Sequence, residues 1–291
     1  MRRQVHFYSD GIRLAGLLFT PDDPSSPERR PAIVFSHGYT GSKEGQVARH
    51  AEALLEAGFV CLTLDHRGFG ESEGERGRLI AHERVEDIKS AITFLAQQLE
   101  VDPQRIGLFG LSVGAAVVLY AGLDPRVKCV VSVSAFGDGE RWLRSLRRYW
   151  EWHNFLKILE EDRVARTLTG QSRRVDALEI MLPPPELDSH YVGRRERGSS
   201  DEWSRPLESA DSLLAFKPET IAGQLAPKAV LLLHGDADTL APLDEAYCLY
   251  ESLNQPRRLA IVPGATHVGM YESHFEQAIT IAAEFLNEYL R

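Results

Sequence analysis

The sequence predicts an α/β fold: a mostly parallel central sheet flanked by helices, with a helical cap inserted late in the chain. Three observations carry that expectation. Short continuous apolar runs alternate with amphipathic segments, as expected for strands buried on both faces between covering helices. Reactive side chains follow those runs at one end, where ligands bind in open α/β sheets. One long stretch, residues 138–227, breaks the alternation and exceeds what a simple connection needs.

The elements follow in order. Val5–Tyr8 and Ile12–Phe19 flank the turn Ser9-Asp10-Gly11 and read as an antiparallel hairpin. Thr20–Pro31, rich in proline, serine and charge, reads as a surface loop. Ala32–Ser36 is a short apolar strand. Glu44–Ala57 follows as a helix with Val47, Ala51, Leu54 and Leu55 on one face and Gly58 as its stop. Phe59–Leu64 is the next buried strand, and Glu83–Leu99 a helix with Val85, Ile88, Ile92 and Leu95 on its apolar side. Ile106–Phe109, Cys129–Val133, Val230–Leu233 and Leu259–Val262 read as further buried strands. The apolar helix Ala115–Ala121 lies between the first two and is closed by Gly122. Helices are expected around Leu243–Leu253 and His274–Leu290. The insertion is helical and aromatic-rich at first (Trp142, Tyr149, Trp150, Trp152, Phe155). From Pro183 to Pro206 it is polar, with a triple proline. The expected organisation is a core of residues 1–137 and 228–291 with residues 138–227 as a cap over the strand-end cleft.

Composition narrows the class. With 291 residues, 43% of them hydrophobic, the chain can bury one large core and carry an inserted cap. A net charge of −9 argues against general nucleic-acid binding, which needs a basic footprint. Cys61, Cys129 and Cys248 form an odd, sparse set that suits a reducing compartment. The basic start, Met1-Arg2-Arg3, leads into no apolar signal core, and no run reaches membrane-spanning length. The expectation is a cytoplasmic protein without a membrane partner. No histidine pair shows ligand spacing, so neither metal nor other cofactor is expected. Apolar cap residues leave room for a homodimer.

Residues 110–114 read Gly-Leu-Ser-Val-Gly at the end of one strand run. Such a pentapeptide makes a sharp strand-to-helix turn with the serine at its apex, and its glycines admit close backbone neighbours. Ser112 is therefore the candidate nucleophile. A serine hydroxyl needs a base, and the base an orienting acid. His267, after Pro263-Gly264-Ala265-Thr266, is the candidate base. Asp238, in the loop His234-Gly235-Asp236-Ala237-Asp238, is the candidate acid and is preferred to Asp236, which suits a turn cap. The order Ser, Asp, His fits a nucleophile elbow. His37, His66 and His234 also stand at strand ends, where local hydrogen bonding is the simpler reading. For an oxyanion the candidate donors are the N–H of Val113, opening a helix, and that of Tyr39 in the loop His37-Gly38-Tyr39-Thr40-Gly41.

At these motifs, with Asp65-His66-Arg67-Gly68-Phe69-Gly70-Glu71-Ser72, the chain resembles the α/β-hydrolase superfamily over roughly 32–137 and 229–290. The His-Gly-aromatic-Thr-Gly loop is similar to that of small bacterial serine esterases, acyl and feruloyl esterases among them. Thr266–Tyr271 is similar to dienelactone-hydrolase-like proteins. The resemblance implies a Ser112–His267–Asp238 triad and a serine hydrolase, a carboxylesterase acting on a small-molecule ester through an acyl-enzyme. The same triad also serves thioester, lactone, amide or carbon–carbon cleavage, and a non-catalytic binding module on the same scaffold is the remaining alternative. Serine at the elbow, where dehalogenases and epoxide hydrolases carry aspartate, argues against both. In the cap, Trp142, Trp150 and Phe155 are candidates to line a substrate pocket; the alternative is cap core or dimer contact. Arg141, Arg144, Arg147 and Arg148 read as a solvated basic face rather than an anion site.

Overall fold

The computed structural model describes residues 1–21, 29–197 and 203–291. Most of the expected 20–31 loop, and part of the polar half of the insertion, lie outside the described residues.

Strands β1 (Arg2–Ser9) and β2 (Ile12–Phe19) form the hairpin, paired in register from Arg2–Phe19 to Ser9–Ile12. The turn uses Asp10 and Gly11, both at positive φ, the conformation that Asp tolerates and Gly favours. β3 (Arg30–Ser36), β4 (Val60–Leu64), β5 (Val101–Leu111) and β6 (Val127–Val133) follow. The principal sheet has eight strands and ends with β9 (Ala229–Gly235) and β10 (Arg257–Val262), in the order β1-β2-β4-β3-β5-β6-β9-β10. All pairings from β4 to β10 are parallel; β2 joins β4 antiparallel.

Alternation along the strands divides the interior in two. Ala32 and Val34 face one way, with Ile88 of α2 (Ala81–Ala96) and Val117 of α3 (Val113–Ala121). Ile33 and Phe35 face the other, with Leu54 of α1 (Gln46–Glu56) and Phe285 of the C-terminal helix. Helix α3 is buried along its whole length apart from Tyr120, which accounts for an apolar sequence with no polar side.

Between β6 and β9 the chain forms α4 (Gly139–Ser145), α5 (Tyr149–Thr169), a two-stranded antiparallel ribbon of β7 (Arg174–Asp176) and β8 (Ser204–Pro206), α6 (Ala177–Ile180), α7 (Pro185–Arg197) and α8 (Glu208–Ala215). These pack onto the α2–α3 side, where Trp142 and Leu143 join the same core. Helix α9 (Leu243–Ser252) follows β9, and α10 (Phe275–Leu290) ends the chain.

One expectation changes and one element is added. Leu259–Val262 was expected to be buried, but β10 is the last strand of its sheet and pairs only with β9, so Leu259 is half-buried and Ile261 exposed. The polar half of the insertion contains a helix, α7, that its proline run concealed. Pro185 stands at its first position, where a missing N–H costs nothing.

The loops after β3 and β4 are held by one buried carboxylate. Asp65 accepts the Lys43 N–H at 2.7 Å, the Glu71 N–H at 2.9 Å and the Lys43 ammonium at 2.9 Å. It is fully buried and Lys43 nearly so. Asp65→Ala would leave Lys43 with the exposed Glu71 alone and strand two backbone donors. The expected loss is about 3–5 kcal/mol, read as a lower urea midpoint at unchanged slope.

Candidate active site

Ser112 sits between β5 and α3 at φ 56°, ψ −121°, a conformation that costs of order 1–3 kcal/mol and persists only when its surroundings enforce it. Here they do. A Cβ on Gly114 would overlap the Ser36 carbonyl oxygen and stand 2.5 Å from that of His37; one on Gly110 would overlap Gly114. Gly114 thus lets the first turn of α3 lie directly against the end of β3, Gly110 lets that turn fold back onto β5, and the serine is turned outward at the apex.

The Ser112 hydroxyl donates to His267 Nε2 at 3.0 Å, and His267 Nδ1–H donates to Asp238 Oδ2 at 2.7 Å. Asp238 is buried, and its Oδ1 accepts the N–H groups of Leu240 (3.0 Å) and Ala241 (2.8 Å). Burial opposes ionisation of this carboxyl, but the charge and hydrogen bond of His267, with His234 and the Ala241 N–H, outweigh it and hold its pKa below the ordinary value. Asp236 accepts the Gly264 N–H at 2.6 Å, joining the β9 and β10 loops. The three residues proposed from sequence therefore meet, and the competing aspartate is employed elsewhere.

Other strand-end histidines make local contacts. His234 Nε2 bonds the Ala241 carbonyl at 2.7 Å. His66 bonds Ser36 through Nε2 (2.9 Å) and Asp87 through Nδ1 (3.3 Å). His37 donates Nδ1–H to Gly38 O at 2.8 Å, while its Nε2 accepts the His66 N–H at 3.4 Å.

The candidate oxyanion donors lie beside the serine. A Cβ on Gly38 would stand 3.3 Å from Ser112 Cβ, so the loop carrying Tyr39 abuts the candidate nucleophile. Among the described residues, neither the Tyr39 nor the Val113 N–H has an acceptor within the chain.

A cavity of about 60 Å³ opens beside Ser112, lined by Tyr39, Leu111, His267, Val268 and Tyr271 and by His190 and Tyr191 of α7. Sequence reasoning missed His190 and Tyr191, because no apolar periodicity marks that helix. The aromatic candidates go elsewhere. Trp142 stacks on Phe136 at 4.5 Å and donates its indole N–H to Leu240 O at 2.8 Å, supporting the loop that carries Asp238. Trp150 is 60% exposed on α5. Phe155 lines a separate groove of about 290 Å³ in the insertion. None of the three lines the cavity beside Ser112. The expected solvated basic face holds for Arg144 and Arg148, which are exposed, and is corrected for Arg141 and Arg147. Arg141 is bound by Glu219 and Glu245 at 2.6 and 2.7 Å, and Arg147 lies over the Phe155 ring and donates to the carbonyls of Leu143, Glu179 and Ile180.

Sheet, elbow and strand-end loops together define a hydrolase of the α/β-hydrolase superfamily. Within it the chain belongs to the X-Pro dipeptidyl-peptidase (S15) family, whose model matches residues 10–269. The chain is 30% identical over its whole length, and that of its relative, to an uncharacterised 31.7 kDa protein of the traX-finO intergenic region of Escherichia coli. It is 28% identical to a thiohydrolase of Eupenicillium brefeldianum, over 92% of this chain and 87% of that one. Among solved structures, the α/β hydrolase GrgF of Penicillium sp. sh18 superposes with a TM-score of 0.83 at 23% identity, covering 100% and 99% of the two chains. No helix among the described residues is long and apolar enough to cross a membrane.

Two buried histidines give the fold a pH dependence. Burial pushes His50 and His66 down to about 4; a backbone bond to Gln46 and the Asp87 carboxylate, respectively, only partly oppose it. Their folded values lie below the unfolded value of about 6.5, so the unfolded chain takes up protons first. Their contribution is complete above that value and is lost as pH falls toward 4, on the order of 3 kcal/mol for each. The urea midpoint should fall across this window, and His50→Gln should make its decline shallower.

Proposed function

We propose that this hydrolase is a serine esterase that cleaves a carboxylic ester through an acyl-enzyme. The observation that supports the reading is the chain of bonds from Ser112 Oγ through His267 to Asp238, at 3.0 and 2.7 Å, opening on a cavity. Ser112 Oγ attacks the ester carbonyl as its proton passes to His267 Nε2. Asp238 keeps the imidazole in the tautomer that presents Nε2 and stabilises the imidazolium. The Tyr39 and Val113 N–H groups, the latter at the positive end of α3, receive the oxyanion. Collapse expels the alcohol, protonated by His267. Water, deprotonated by His267, then releases the acid and regenerates Ser112.

Residues 138–227 act as the cap, with α7 as the part that faces the reacting carbonyl. A second reading differs only in the bond: a thioester in place of an oxygen ester. The kinship with a thiohydrolase favours it. The family description raises peptide bonds after proline as a third substrate to compare.

A fluorophosphonate probe should label Ser112. Turnover should be measured on p-nitrophenyl acetate, a thioester with the same acyl group, and Gly-Pro-p-nitroanilide. Ser112→Ala should abolish labelling and lower ester turnover by a factor on the order of 10⁴ or more. Wild-type turnover in that variant overturns the proposal, and faster hydrolysis of the thioester than of the matched ester selects the second reading.

A further inference from the structure

Behind the proposed oxyanion loop lies a cation that the triad does not use. Arg84 of α2 is 1% exposed. Its Nη1 donates to Gly38 O at 3.4 Å, while its Nε and Nη2 have no hydrogen-bond partner among the described residues. The neighbouring carboxylate, Asp87, is bonded to Arg67 at 2.9 Å and His66 at 3.3 Å. No ion pair to Arg84 occurs among the described residues. A second guanidinium, that of Arg205 in β8, lies over the same Phe69 ring, 4.8 Å from its centre against 4.4 Å for Arg84. Burial and Arg205 push the Arg84 pKa down to about 9, opposed by Asp87 and Tyr39, which leaves it a cation at neutral pH.

Gly38 O belongs to the same peptide group as the Tyr39 N–H. It accepts three donors: His37 Nδ1–H at 2.8 Å, the Gly41 N–H at 3.3 Å and Arg84. The His37 ring can only donate there, because a carbonyl cannot. Its Nε2, accepting the His66 N–H, is consistent with a neutral imidazole protonated at Nδ1.

We propose that Arg84 is a positioning residue for the reaction at Ser112, acting through the Gly38–Tyr39 peptide, which its guanidinium polarises and holds so that the Tyr39 N–H is a stronger and better-aimed donor to the oxyanion. The inference rests on the esterase reading above. Bonds to a carbonyl strengthen the N–H on the far side of the same amide. In a trans peptide C=O and N–H point opposite ways, so three donors on the oxygen fix the direction of the N–H. The effect of a positive charge is largest where water is excluded. A purely structural role accounts poorly for the residue: a buried guanidinium with two nitrogens unpartnered is less stable than an apolar side chain of its size.

The test compares wild type, Arg84→Gln and Arg84→Lys on p-nitrophenyl acetate, with a trifluoromethyl ketone as a mimic of the tetrahedral adduct. Arg84→Gln should lower kcat about tenfold or more, part of the 10²–10³ lost with a whole oxyanion donor. KM should stay within about twofold, and Ki for the ketone should rise by the same factor as kcat falls. Unchanged kcat and Ki in the folded variant overturn the inference. Arg84→Lys supplies the decision if the glutamine variant does not fold. A buried lysine titrates well below its usual range, so its kcat should fall through an alkaline inflection at lower pH than any in wild type. A profile superimposable on wild type overturns the inference. Fluorophosphonate labelling of wild-type Ser112 separates the two claims: without it the esterase reading falls too, and with it a null result in the Arg84 variants removes this inference alone.

Discussion

The site depends on a steric constraint, the contact of the first turn of α3 with the last peptides of β3. There is no room for a side chain between them, as the clash at Gly114 makes plain. Because the backbones meet, Ser112 must take a positive φ. Because it does, the hydroxyl projects beyond the strand ends and the Val113 N–H lies alongside the Gly38–Tyr39 loop. The cost of that conformation is offset by the apolar burial of α3, at roughly 25 cal/mol per Å² removed from water. The exposed Ser112 hydroxyl and the proposed oxyanion donors are thus consequences of one packing contact.

The histidine and aspartate are held by separate means from the far half of the sheet. Asp238 divides its two oxygens: Oδ1 closes its own loop through Leu240 and Ala241, and Oδ2 is left for the imidazole. The same loop is bonded from the insertion by the Trp142 indole. The insertion therefore contributes to the placement of Asp238 as well as to the lining of the cavity beside Ser112, and its first helix cannot swing freely without disturbing the β9 loop.

What the sequence revealed follows from how local each signal is. Elbow, strands and the meeting of Ser112, Asp238 and His267 were legible because each rests on a short motif at a strand end, and parallel topology gathers strand ends on one edge. The insertion was not, because its contacts are long-range. Trp142, Trp150 and Phe155 share one aromatic stretch, yet one supports a loop, one faces solvent and one lines a remote groove. Arg141 and Arg147 looked solvated because the glutamates and carbonyls that bind them come from distant segments. Helix α7 begins at a proline and has no apolar stripe, so nothing in its own sequence placed His190 and Tyr191 beside Ser112.

The choice among scissile bonds belongs to the lining of that cavity. The proposed oxyanion donors would see the same developing charge whether oxygen, sulfur or nitrogen leaves. His267 matters unequally: an amine must be protonated to depart, an alkoxide benefits greatly, and a thiolate, with a conjugate acid near pKa ~8.5, leaves with little help. On the proposed mechanism, a serine with a well-oriented imidazole would suffice for esters and more than suffice for thioesters. With the reacting atoms satisfied in either case, discrimination must come from the space offered to the leaving group. On this side of the molecule that space is bounded by Tyr271 and by the two α7 residues, His190 and Tyr191.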